Sequence, residues 1–191
     1  MAGESRRIWW AGTLRAVIVP DTKDWTWVLE RECPECGFDA SQTKAEEVAG
    51  LIRDNGAAWR KALDKGLIAS GRPNDSTWSS LEYACHVRDV FRIYHERLGL
   101  MLSEDDPLFE NWDQDASAVE DRYDEQDPPT VIADLLDAAE LLATRLEKVT
   151  GDQWGRPGRR SDGASFRVAT ISRYMAHDPI HHLWDVEQQS A

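Results

Sequence analysis

The sequence predicts an all-α protein: a four-helix bundle with an irregular N-terminal arm. Three observations carry that prediction. Four segments between Ser41 and Glu187 repeat apolar residues at the three- and four-residue spacing of amphipathic helices. The connection between the second and third of them, residues 103–127, is far longer than antiparallel neighbours need, so those two helices are expected to run parallel after a crossover. No segment shows the period-two alternation of a convincing sheet.

At 191 residues the chain is long enough for one domain with a sizeable core. We divide it into an arm, residues 1–40, laid across the body with Trp25 and Trp27 tucked in, and a bundle, residues 41–191. In the arm Pro20, Pro34 and Gly37 interrupt any regular element, and Trp25–Leu29 reads as a short extended piece. The first helix starts after Ser41–Thr43, where Thr43 and Glu46 fit a capping box. Val48, Leu51, Ile52, Trp59, Ala62 and Leu63 follow at helical spacing up to a stop at Gly66.

The second helix opens on a clearer capping box, Ser79 with Glu82, and runs to about Leu102. Leu81, Ala84, Phe91 and Leu98 make one stripe, and Tyr83, His86, Val90 and Ile93 another. So broad an apolar surface implies burial on more than one side. The acidic stretch that follows, residues 103–127, reads as a solvated loop. Asp127 caps the third helix, with Pro128 and Pro129 in its first turn. Ile132, Leu135, Leu136, Ala139, Leu142, Ala143, Leu146 and Val149 give the cleanest amphipathic pattern of the chain. The loop 151–167 carries Arg156, Arg159 and Arg160, a cationic patch that suits an anionic group or a plain turn equally. The fourth helix covers Val168–Glu187, with Pro179 expected to kink it because it cannot donate to the carbonyl of Met175.

Composition narrows the function. Net charge is −13, which repels a nucleic-acid backbone, and no apolar run reaches membrane-spanning length. The expected partner is a small molecule, not nucleic acid or membrane; a homodimer is compatible with the sequence. Arg6-Arg7 loosely matches a twin-arginine export signal, but Arg15 interrupts the apolar region after it and no cleavage site follows, so a cytoplasmic location is expected. Three cysteines make a poor disulfide framework. Cys33-Pro34-Glu35-Cys36 would suit half of a zinc site, but no second pair with suitable spacing follows it, and we read it as a turn with reduced thiols.

The stretch His177-Asp178-Pro179-Ile180-His181-His182 holds three of the 5 histidines. His177 and His181, four residues apart, share one helix face and can grip one divalent ion. His86 on the second helix is the best third ligand. Bundles build metal sites in this way, from side chains on facing helices.

With those residues in view, the chain resembles the DinB/YfiT-like metalloprotein superfamily over roughly residues 40–187. The pattern W-S-x-x-E-x-x-x-H-x-x-D is carried by Trp78, Ser79, Glu82, His86 and Asp89, and H-x-x-x-H by His177 and His181. The resemblance implies the up-down-down-up bundle and a three-histidine metal site of His86, His177 and His181. It also implies thiol S-transfer with a mycothiol-type thiol as cosubstrate. Alternatives are a metal-dependent hydrolase or isomerase of a small metabolite, and a non-catalytic, stress-associated metal-binding bundle. Imidazole ligands suit zinc first, with nickel, iron or manganese as alternatives. Asp89 or Asp178 is a candidate to orient a ligand imidazole.

Overall fold

The structure, a computed structural model, describes residues 24–189; the paired arginines Arg6 and Arg7 lie outside them. Four long helices dominate: α1 (Val48–Asp64), α2 (Ser80–Ser103), α4 (Pro128–Glu147) and α5 (Val168–Gln189), with a short α3 (Gln114–Glu120) in the connection between α2 and α4.

The starts and stops follow from local chemistry. Ser79 and Glu82 form the expected capping box: the Ser79 hydroxyl accepts from Glu82 N, and Glu82 Oε2 accepts from Ser79 N at 2.8 Å. Asp127 accepts from Thr130 N at 3.1 Å, with proline in the first turn of α4. Gly66 takes φ +72, the left-handed conformation that ends a helix. The entry to α1 differs from expectation. A turn of 3-10 helix, Ala45–Glu47, precedes it, and Glu47, not Glu46, accepts from the backbone N–H of Lys44.

Side-chain contacts fix the topology. Gly56 of α1 faces Leu136 and Ala139, and Arg53 reaches on to Glu140 and Glu147, so α1 and α4 are antiparallel. Arg92 pairs with Asp134 and His95 meets Arg145, so α2 and α4 run parallel. Tyr83 stacks on His182 while His86 meets Asp178, so α2 and α5 are antiparallel. The order is up-down-down-up. Helices α1 and α2 each pack against α4 and α5, around one apolar core that includes Ile52, Trp59, Leu81, Phe91, Leu98, Ile132, Leu135, Leu142 and Ile171.

Three segments differ from the sequence expectation. Thr26–Leu29 is a 3-10 turn, not an extended piece. The acidic connection is more than a solvated loop. It contains β1 (Leu108–Phe109) and α3, and it sends Tyr123 into the core, where its hydroxyl donates to Asp89 Oδ2 at 2.6 Å. The loop after α4 folds into β2 (Pro157–Arg160) and β3 (Ser165–Arg167), giving a small sheet of order β1-β2-β3, parallel then antiparallel. Gly158 sits against the side chain of Met101, where a Cβ would come within 2.7 Å of Met101 Cγ. Helix α5 runs on through Pro179, whose carbonyl accepts from Asn55 Nδ2 at 2.8 Å.

Candidate metal centre

All the chemistry of α5 lies on two adjacent faces. His177 and His181 form one i,i+4 pair; Asp178 and His182 form a second, one residue later. A shift of one residue turns the side chains by about 100°, so the pairs point to different neighbours.

The pair Asp178/His182 faces α2. His86 is fully buried there, and its Nε2 lies 3.1 Å from Asp178 Oδ1. His182 Nε2 lies 3.3 Å from the same oxygen. The other nitrogen of His182 is 2.9 Å from Asp185 Oδ2, which orients the ring. Loss of solvent alone would raise the pKa of Asp178; His86, aided by His182 and His177, overcomes that and holds the carboxyl well below the usual carboxylate range. Trp112 stacks on His86 at 5.1 Å between ring centroids and Trp78 lies at 5.2 Å, so two indoles cover the imidazole.

The pair His177/His181 faces the arm. Its rings, 5.0 Å apart, meet Trp25 and the turn Cys33–Cys36. Cys33 Sγ is 3.7 Å from His181 Nδ1, and Glu35 Oε2 is 3.3 Å from His181 Nε2. Burial, reinforced by the neighbouring His181, pulls His177 down to about 4. Burial pushes the Cys36 thiol up to about 11.

The predicted ligands are therefore divided. His177 and His181 share a cluster with Cys33 and Cys36, and His86 shares one with Asp178 and His182; within each, the ligand atoms lie within 4.8 Å of one another. Among the described residues, no cluster of that tightness unites His86 with both His177 and His181. His95, the remaining histidine, sits apart beside Arg145.

Both clusters border a cavity of about 670 Å³. Its wall includes Trp25, Trp78, Trp112, Tyr83, Tyr94 and Tyr174. Of the three loop arginines only Arg160 lines it, beside Tyr174 and paired with Asp162 at 2.7 Å. Arg156 instead binds the carbonyls of Met101 and Glu104, and Arg159 pairs with Asp106. Asp89, the last residue of the α2 motif, does not touch the histidines. It accepts from Arg88, Arg92 and Tyr123, which overcome the rise that burial alone would cause and hold its pKa low.

A family model described as the DinB superfamily matches residues 37–186. The chain belongs to the DinB superfamily. A solved structure is also similar: YfiT from Bacillus subtilis, described as a probable metal-dependent hydrolase with an unusual four-helix bundle topology. The identity is 17%, the TM-score 0.67, and the match covers 84% of this chain and 94% of that one. That likeness extends to the fold. No curated protein sequence matches this DinB-superfamily chain.

The residues fit a metal ion on structural grounds. His177 Nε2 is a buried nitrogen without a hydrogen-bond partner, which polar atoms in a protein interior rarely are, and His86 turns its buried Nε2 toward Asp178 and His182. Two imidazoles and a carboxylate are a donor set for zinc, iron or manganese. The fold brings Cys33 and Cys36 beside His177 and His181, more than a hundred residues onward on α5. Asp178, named from the sequence as a carboxylate that could orient an imidazole, does meet His86 and His182, whereas His182 was not among the predicted ligands. The i,i+4 interval of Asp178 and His182 was the signal, overshadowed by the all-histidine pair one position earlier.

Proposed function

We propose that this DinB-superfamily chain is a metal-dependent enzyme joining a mycothiol-type thiol to a small electrophile, with His86, Asp178 and His182 holding the ion. The observation that carries this reading is the convergence of two imidazoles from two helices on one carboxylate oxygen at the edge of a large cavity. Three protein ligands leave positions open, as a catalytic site needs. When bound there, a divalent ion supplies Lewis acidity that favours the ionised form of a thiol.

The remaining work falls to the chain. Asp185 fixes the ring of His182, and Asp178 bridges the two imidazoles. Trp78 and Trp112 keep water from His86. The aromatic faces suit the apolar faces of a sugar-bearing thiol, and Arg160 with Tyr174 suits an anionic group on either reactant. The three-histidine set His86, His177 and His181 implied by the family resemblance shares His86 with this one. The two sets differ in which α5 pair is used.

A hydrolase is the second reading, favoured by the structural likeness to YfiT; water then takes the place of the thiol. One assay separates the two. Metal-loaded protein is offered a mycothiol-type thiol with monobromobimane, and in parallel a panel of esters and amides. Saturable thiol consumption that disappears on chelation is expected. Saturable hydrolysis without thiol consumption selects the second reading, and no rate above the uncatalysed one in either arm refutes both.

A further inference from the structure

We propose that Cys33, Cys36, His177 and His181 form a second metal site, a tetrahedral zinc staple that fastens the N-terminal arm to α5. The site is separate from the active centre proposed above and does not depend on it.

The turn is shaped for the task. Cys33 N–H donates to the carbonyl of Phe38 at 2.9 Å, and Gly37 N–H donates to the carbonyl of Cys33 at 2.9 Å. Gly37 closes the turn at φ +73, a conformation glycine adopts without steric cost. The result puts both sulfurs on the side of the turn that faces α5.

Distances match the ion. With zinc–sulfur and zinc–nitrogen bonds of about 2.3 and 2.0–2.1 Å, a tetrahedral site has sulfur–nitrogen edges of about 3.6 Å and sulfur–sulfur edges of about 3.8 Å. Cys33 Sγ and His181 Nδ1 are 3.7 Å apart, and all four ligand atoms lie within 4.8 Å of one another.

The imidazoles are oriented as ligands. His181 turns Nδ1 to the sulfur and Nε2 to Glu35, the carboxylate that a metal-bound histidine commonly finds for its other nitrogen. His177, only 5% exposed, leaves Nε2 without a partner. Cys33 is fully buried, and Trp25 lies over both imidazoles. Two thiolates and two imidazoles fill a tetrahedral zinc shell, so the site is structural. Its work is positional: Trp25 and Glu35, on the arm it would tie down, are part of the cavity wall.

The test uses the full-length chain loaded with cobalt(II). The expected spectrum has a near-ultraviolet thiolate-to-cobalt charge-transfer band and intense visible bands of a four-coordinate ion. The charge-transfer band should vanish in Cys33→Ser and Cys36→Ser, with the loss of one equivalent of zinc from the zinc-loaded protein. It should survive in His86→Ala and in Cys85→Ser, whose sulfur bonds to Tyr123 and Gln126 instead. Should the cysteine variants fail to fold, the wild-type spectrum and zinc release on mercurial titration decide. Absence of the charge-transfer band from wild type, its survival in both cysteine variants, or titration that frees no zinc would overturn the proposal. An intact band in a catalytically inert protein would sink only the enzyme reading.

Discussion

Glu82→Gln is the substitution whose cost follows most directly from the structure. Glu82 is 2% exposed and holds three partners: the backbone N–H and hydroxyl of Ser79, each at 2.8 Å, and the guanidinium of Arg72, with Nε at 2.9 Å. Glutamine keeps an acceptor for the cap but loses the charge opposite Arg72. Removing one partner of a fully buried ion pair costs about 3–5 kcal/mol. Arg72 is 27% exposed and can turn to water, so the expected loss is about 2–3 kcal/mol, in the range for a hydrogen bond to a charged group. In a domain of this size each kcal/mol moves Tm by about 2–4 °C, which predicts a fall of about 4–12 °C at neutral pH by calorimetry. The pH dependence gives a second check. Burial would raise this carboxyl, but Arg72 and Ser79 hold its folded pKa below the ordinary 4.5. Its contribution is therefore present above pH 4.5 and lost as pH falls through the depressed folded value. The gap between wild type and Glu82→Gln should shrink below pH 4.5. Equal stabilities at neutral pH, or a gap that widens on acidification, would refute the reasoning.

Tyr123→Phe removes a buried donor from the Asp89 carboxylate and should cost about 1.5–3 kcal/mol, read by urea unfolding. Gly158→Ala forces a Cβ against the fully buried Met101 and should cost about 1–3 kcal/mol by overpacking; pairing it with Met101→Ala should recover part of that loss in a double-mutant cycle. His86→Ala should lose the cavity ion while far-ultraviolet circular dichroism stays helical, because the apolar stripes of α2 remain. In a Cys33→Ser background, which lacks the second site, His182→Ala should lose the same ion and His177→Ala should keep it, as measured by metal analysis; the reverse outcome would favour the three-histidine set.

What the sequence made legible were features encoded within a few residues. The Ser79–Glu82 box, Asp127 before two prolines, Gly66 and the stripe from Ile132 to Leu146 placed the start of α2, the start of α4 and the end of α1 almost to the residue. The length of the α2–α4 connection pointed to parallel helices there, and the family resemblance supplied the rest of the topology. The sheet escaped because β1 has two residues and β2 reads Pro-Gly-Arg-Arg, with no apolar alternation. Its order comes from distant contacts: Gly158 against Met101, and Arg156 on the carbonyls of Met101 and Glu104. Tyr123 looked like part of an acidic loop because its partner, Asp89, lies on another helix. The histidines were found, but their grouping was not legible. A one-residue offset on α5 decides which pair meets His86, and which meets two cysteines that local spacing left alone.

The central claim is that α5 serves two metal sites with two staggered pairs. Anomalous-difference density at the zinc edge, from crystals of zinc-loaded full-length protein, tests it most directly. The account predicts one peak among His86, Asp178 and His182, and a second among Cys33, Cys36, His177 and His181. A single peak bound jointly by His86, His177 and His181, or no peak at either cluster, would contradict it.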